Sequence, residues 1–193
     1  MRTRPAPRQG YHHGDLRSAL LDAGLRLLRE RSVDDLGLRE LARDVGVSPA
    51  AIYRHFPDKN ALMAALAVEG LERMAAAQRQ ATQAAGGGKA GFLASGMAYV
   101  RFAVDHPALF RLVFGAVQAC DPLDAPIDSV ASAMRGLRRD IEALVPADMP
   151  AAARKAAALH AWALVHGLAQ LVLDGQIPVD WRLIESVLSR VPL

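Results

Sequence analysis

One cysteine, Cys120, stands in 193 residues, so the chain can form no internal disulfide. That suits a reducing compartment. Phe, Trp and Tyr supply only 5% of the residues, and runs of β-branched residues are scarce, which argues against strands. The 52% hydrophobic content is carried largely by alanine, a helix former. Long apolar runs are also missing. The longest, residues 161–173, is broken by His166, Gly167 and Gln170 and falls short of the ~20 residues a membrane span needs. No apolar segment follows the basic N-terminus, so no signal peptide is expected. No membrane partner is expected either.

Catalytic signatures are absent as well. There is no Gly-x-Ser-x-Gly, no phosphate loop, no metal-spaced His/Cys/Asp set and no carboxylate pair in an expected cleft. Gly86-Gly87-Gly88 lacks the following Lys-Ser/Thr of a phosphate cradle and reads as a flexible connection. His12 and His13 are adjacent on a loop and cannot easily chelate one ion without further ligands. No enzyme, cofactor or metal is expected.

Charge is distributed unevenly. Residues 1–60 hold 11 Lys/Arg against 8 Asp/Glu, whereas residues 61–193 hold 12 of each, so the net +3 lies in the first third. Arg2, Arg4 and Arg8 form a basic arm over residues 1–9. Such an arm is either a solvated tail or a contact to DNA phosphate or minor groove.

The first third also holds the most informative segment, residues 38–56. It reads as two short helices meeting at a corner. Ala42 is small where the helices cross, and Gly46 falls where a left-handed backbone is cheap only for glycine. Val45, Val47 and Ile52 fill the space between them. Ser48 reads as an N-cap and Pro49 as the first helical residue. Tyr53, Arg54 and His55 then form an exposed polar and aromatic face suited to phosphates and base edges. The spacing matches a helix-turn-helix; the bland alternative is an ordinary helical hairpin.

Around this segment, apolar periodicity predicts an all-α chain of about nine helices. One runs from Asp15 to about Arg31. A long one spans residues 59–85, capped by Asp58, with its polar stretch Gln78 to Gln83 exposed. Others cover residues 90–106, 107–115, 127–145, 151–173 and 179–191. The expected division is the basic arm 1–9, a three-helix DNA-binding domain 10–57, and a helical effector-binding and dimerisation domain 58–193 joined by helix 59–85.

Tyr11-His12-His13-Gly14-Asp15-Leu16-Arg17, the segment from Leu38 to Phe56, and Pro57-Asp58-Lys59-Asn60-Ala61-Leu62 together resemble the TetR/AcrR family of bacterial repressors. Two further stretches, His106 to Phe114 and Trp162 to Gly167, resemble the subgroup with a WHG-type C-terminal domain. The resemblance implies a cytoplasmic homodimer that binds a palindromic operator and releases it when a small molecule binds. It implies DNA contacts at Arg39, Ser48, Pro49, Ala50, Ala51, Tyr53, Arg54, His55 and Lys59, with Tyr11, His12 and His13 nearby. Phe56 matches a buried aromatic that fixes the recognition helix. Where the family usually has Thr or Ser, this chain has Gly37, which caps a helix but brings no hydroxyl to a phosphate. Pro49, Ala50 and Ala51 offer no bidentate donor. Sequence choice then rests on Arg39, Arg54, Tyr53 and DNA shape.

In the second half, Met97, Tyr99, Phe102, Phe110, Phe114, Gln118, Met134, Trp162 and His166 are candidates to line a ligand pocket, although residues of this kind are more often plain core. Leu159, Ala163, Gly167, Gln170 and Leu171 fall near one stripe, and Trp181, Ile184 and Leu188 on another. Paired across two copies they would make a four-helix interface; otherwise they pack within one chain. An activator or architectural DNA-binding protein without an effector is the other reading of the whole.

Overall fold

The computed structural model describes residues 16–115 and 121–191. The expectations for Arg2, Arg4, Arg8, Tyr11, His12, His13, Asp15, Gln118 and Cys120 lie outside the described residues. Among the described residues there are nine α-helices, one 3-10 turn and no strand. The helices are α1 (Leu16–Leu27), α2 (Leu38–Val45), α3 (Pro49–Tyr53), α4 (Lys59–Ala84), α5 (Gly88–Asp105), α6 (Pro107–Gly115), α7 (Ser132–Leu144), α8 (Ala151–Leu173) and α9 (Trp181–Leu188).

The corner between α2 and α3 is closed by the backbone. Gly46 has φ 77°, a left-handed conformation costly for any residue with a Cβ. Its N–H donates to Arg43 O at 3.1 Å and that of Val47 to Ala42 O at 2.9 Å, the paired bonds of a Schellman end. Ala42 and Ile52 are fully buried where the helices cross. After Tyr53 the chain turns: His55 N–H and Phe56 N–H both reach back to Ile52 O. Arg54 and His55 therefore sit in the turn beyond α3 rather than on it. Pro57, which disfavours helix in the residue before it, holds that boundary.

α4 is the longest helix, 26 residues or about 39 Å at 1.5 Å per residue. Asp58 starts it by accepting from Ala61 N–H at 2.8 Å. Leu62 and Leu66 join Leu20, Ile52 and Phe56 in one buried cluster, which continues through Met74 to Tyr99 and Phe110. α1 approaches α4 closely at Gly24, and α6 at Gly70, whose missing Cβ would stand 2.8 Å from Leu109 Cδ1.

Several sequence expectations are corrected. Gly86, Gly87 and Gly88 all have positive φ and form a closed corner, not a loose link. Gly87 N–H donates to Thr82 O at 3.0 Å, and Thr82 Oγ1 donates to Gly91 O at 3.3 Å, so α5 folds straight back along α4. The expected helix 127–145 is split: a 3-10 turn at Ile127–Ser129 and extended Val130 precede α7. α1 stops at Leu27 and tightens into a turn. α9 starts only at Trp181, where the Asp180 carboxylate accepts from the N–H groups of Arg182 and Leu183. α8, counted from Ala151, is long and apolar enough by length and composition to cross a membrane. A buried core helix passes the same test of length and composition.

The two glycines on neighbouring helices should respond oppositely. Gly70→Val should lower stability by about 1–3 kcal/mol, because the added atoms collide with Leu109 and Val113 in a packed core. Gly136→Ala, where a Cβ meets nothing within 4 Å, should raise stability by about 0.5–1 kcal/mol through helix propensity. Urea unfolding of both variants checks the pair.

Candidate functional site

The first half presents one solvent-facing surface built on α2 and α3. Ser48, Pro49, Ala50, Tyr53, Arg54 and His55 are exposed, and Arg39 is exposed on α2. Ile52 and Phe56 lie behind them in the core, and Arg17 sits over the Phe56 ring at 5.4 Å. Ala51 is buried with Ile52, so it shapes the helix from behind rather than facing outward. Ser48 occupies the N-cap position, and its hydroxyl makes no capping bond. Gly37 caps α2 with extended backbone, and a Cβ there would meet nothing within 4 Å.

The charges on this face are sorted by pairing. Arg26 pairs with Asp44 at 2.9 Å and Arg31 with Glu40 at 2.5 Å. Hydrogen bonding and attraction from Glu40 raise the Arg31 guanidinium above its ordinary value. Arg39, Arg43 and Arg54 have no ion-pair partner among the described residues. Lys59 Nζ donates to Asp34 O at 2.8 Å, tying the loop before α2 to the start of α4. The surface thus keeps uncompensated guanidinium groups beside small apolar residues, which suits an anionic backbone that must approach closely.

The second half encloses a cavity of about 440 Å³, partly open to solvent, between α4, α5, α6, α7 and α8. Of the residues singled out from sequence, Tyr99, Phe114, Met134, Trp162 and His166 line it. Phe102 and Phe110 belong to the main buried cluster; the Phe110 ring stacks behind His166 at 5.6 Å. Met97 packs instead toward Ile184 and Leu188 of α9. Gln78, Ser95 and Asp140 also line the cavity, and sequence reasoning missed all three. Gln78 was expected to be exposed. In fact it is half-buried and donates Nε2–H to Ser95 Oγ at 3.3 Å, leaving its amide oxygen buried without a partner.

A polar chain runs along one wall. Tyr99 OH lies 2.9 Å from His166 Nδ1. Burial pushes the Tyr99 phenol up, while hydrogen bonding from Trp162 opposes this, so the phenol keeps its proton. Burial pushes the His166 imidazole down, so it is neutral. A protonated phenol and a neutral imidazole can share this bond in either direction, the phenol donating to Nδ1 or an Nδ1–H donating to the phenol oxygen. The rings of Tyr99, Phe110 and Phe114 gather around His166, with Phe114 at 4.9 Å.

On α8 the exposed Ala156, Leu159, Ala163 and Leu171 form a mostly apolar stripe, interrupted by exposed His160 and flanked by half-buried Gly167 and Gln170. Leu159 and Leu171 remain 49% and 44% exposed, high for leucines on a long helix. Trp181, Ile184 and Leu188 of α9 are not part of that surface. Ile184 and Leu188 are buried against Val100 of α5, and Trp181 is covered by the Arg101 guanidinium at 4.4 Å. Leu183 is the exposed leucine of α9.

A helix-turn-helix face with free arginines, joined by one long helix to a bundle with an internal cavity, defines a DNA-binding regulator. Residues 20–66 match the family described as bacterial regulatory proteins, tetR family, and residues 92–190 match a tetracyclin repressor-like C-terminal domain. A protein of unknown function from Rhodococcus sp. RHA1 is 33% identical, with a TM-score of 0.70 over 94% of this chain and 95% of that one. A tetR-family transcriptional regulator from Streptomyces coelicolor shares the fold at 22% identity and TM-score 0.64, covering 89% of this chain and 76% of its own. So does the TetR family repressor AlkX from Dietzia sp. strain DQ12-45-1b, implicated in biodegradation of n-alkanes, at 18% identity and TM-score 0.57 over 94% and 95%. The chain belongs to the TetR family, whose members are transcriptional regulators.

The neutral His166 carries a pH signature. Its folded value lies below the unfolded one, so the unfolded chain takes up the proton first as pH falls through about 6.5. The stability it supports is present above that pH and is lost below it. The urea midpoint of the wild type should therefore drop between pH 7.5 and pH 5.5 more steeply than that of His166→Gln. Parallel curves would show that the imidazole is not held neutral.

Proposed function

We propose that this chain is a homodimeric repressor that holds a palindromic operator and releases it when a small molecule fills the cavity between α4 and α8. The observation that carries the reading is the sharing of α4. Its first turns, through Leu62 and Leu66, pack beneath the helix-turn-helix, and its later turns, through Leu71, Met74 and Gln78, form a wall of the cavity. Occupancy at one end is thereby coupled to the pose of the other. A ligand shifts that pose only by its differential affinity for the two arrangements. A cavity of this size favours an effector-responsive regulator over an architectural protein with a filled core.

In this reading residues 10–57 read DNA, residues 58–193 bind effector and dimerise, and the arm 1–9 touches phosphate or minor groove. The protein works in the cytoplasm, without a membrane partner. Arg39, Ser48, Pro49, Ala50, Tyr53, Arg54, His55 and Lys59 contact the duplex, with Tyr11, His12 and His13 beside them. Ala51 supports them from inside. The apolar stripe of α8 joins the two copies, which would cover Leu159, Ala163, Gly167, Gln170 and Leu171. The WHG-type assignment belongs to the same proposal, supported by the contact of Phe110 and Phe114 with His166.

Selection of bound sequences from random duplex DNA tests the specific reading. A two-fold symmetric motif with half-sites ~34–36 Å apart is expected; salt-sensitive binding with no enriched motif would refute it. His55→Ala and Lys59→Ala should weaken binding about equally on every sequence, since both are phosphate contacts here. A changed base preference in band shifts would overturn that assignment. Light scattering should give twice the chain mass of 20.7 kDa for the wild type. Leu159→Glu should give the single-chain mass with helicity unchanged; a monomeric wild type would exclude the dimer.

A further inference from the structure

Asp140, on α7, is the one charged side chain among the described residues that line the cavity. It is half-buried, and none of the described residues pairs with it or hydrogen-bonds to it. Burial pushes its carboxyl up, and Arg139 next to it only partly offsets this. The other titratable groups of the cavity add no positive charge: Tyr99 keeps its proton and His166 is neutral. Closing the cavity over an apolar occupant would strip water from an unpaired carboxylate, a costly step unless an opposite charge arrives with the ligand. On α4, across from α7, the Gln78 amide oxygen is buried without a donor. Phe92, Tyr99, Phe114 and Trp162 contribute rings to the lining, and ring faces attract cations.

We propose that the cavity selects a lipophilic organic cation, an amine or onium whose charge lies against Asp140 and whose apolar body lies among Phe92, Phe114 and Trp162. This rests on reading the cavity as the effector site and names the chemical class it takes. A cation satisfies the carboxylate. An anion of the same shape meets Asp140 with like charge and finds no cationic side chain among the described residues of the lining. A neutral molecule leaves the carboxyl without a partner or drives it to take up a proton, at a cost in either case.

Tetraphenylphosphonium and tetraphenylborate share shape and differ in the sign of their charge, so they isolate this term. Calorimetric titration of each into the full chain should show the phosphonium ion binding at least about tenfold tighter, the scale of one partly screened charge pair. Asp140→Asn should remove most of that preference, and Asp140→Glu should keep it, with circular dichroism showing both variants folded. Equal affinities, tighter borate binding, no phosphonium binding, or an unchanged preference in Asp140→Asn would each overturn the proposal. The operator complex separates this from the release mechanism. If the phosphonium ion binds through Asp140 while operator DNA stays bound at saturation, the cation site stands and the release reading fails. If a neutral or anionic compound releases the operator and the phosphonium ion does not bind, the release reading stands and the cation site fails.

Discussion

The packing of α4 against both halves of the chain constrains everything else. Near its start, Leu66 fills the hollow left by Gly24 of α1; one turn further, Gly70 lets Leu109 and Val113 of α6 come into direct contact with the helix. Arg73 then holds Asp22 of α1 at 2.6 Å and Glu69 of its own helix at 2.9 Å. Such exposed pairs contribute little to stability, but they fix the rotation of α4 relative to α1. Just before Arg73, Glu72 meets α7 by accepting from Ser132 Oγ at 2.7 Å, and from Leu71 onward the helix contributes to the cavity wall. A core packed in this way resists smooth deformation, so a movement of α4 at one end would carry to the other.

The cavity differs from the core around it in its polar content. The main cluster is apolar and closed, and no polar or charged residue of the described chain is fully buried. In the cavity wall, by contrast, an amide oxygen has no donor, a half-buried carboxylate has no ion-pair or hydrogen-bond partner, with only the Arg139 charge nearby, and the Tyr99–His166 pair sits among rings. Unsatisfied polar groups destabilise a fold and are rare in well-packed interiors. Their concentration around a space of about 440 Å³ is what the proposed effector site rests on.

How much of this was legible depended on how local each feature is. The α2–α3 corner was readable because Ala42, Gly46, Ser48, Pro49 and Ile52 act within a dozen residues, and the backbone follows from them alone. The Leu159–Leu171 stripe was readable from helical period. Which stripe faces inward was not: Ile184 and Leu188 have the same spacing as an interface but are buried against α5. Gln78 read as solvent-facing because it starts a polar run, yet the glycine corner folds α5 back along α4 and turns it inward. Asp140 lies on an amphipathic helix whose acidic and basic residues all look solvated in sequence. Only the tertiary arrangement of five helices shows which one borders a cavity.

The most direct test of the proposed coupling through α4 is the distance between recognition elements in the two copies of the proposed dimer. Nitroxides placed by Arg54→Cys in a Cys120→Ser background would report it by pulsed electron resonance, with and without Ala133→Trp, which fills the cavity without any ligand. The account predicts a narrow distance distribution that shifts by several ångströms in the filled protein, together with weaker operator binding. An unchanged distribution in a filled, folded protein, whatever its operator affinity, would contradict the transmission through α4.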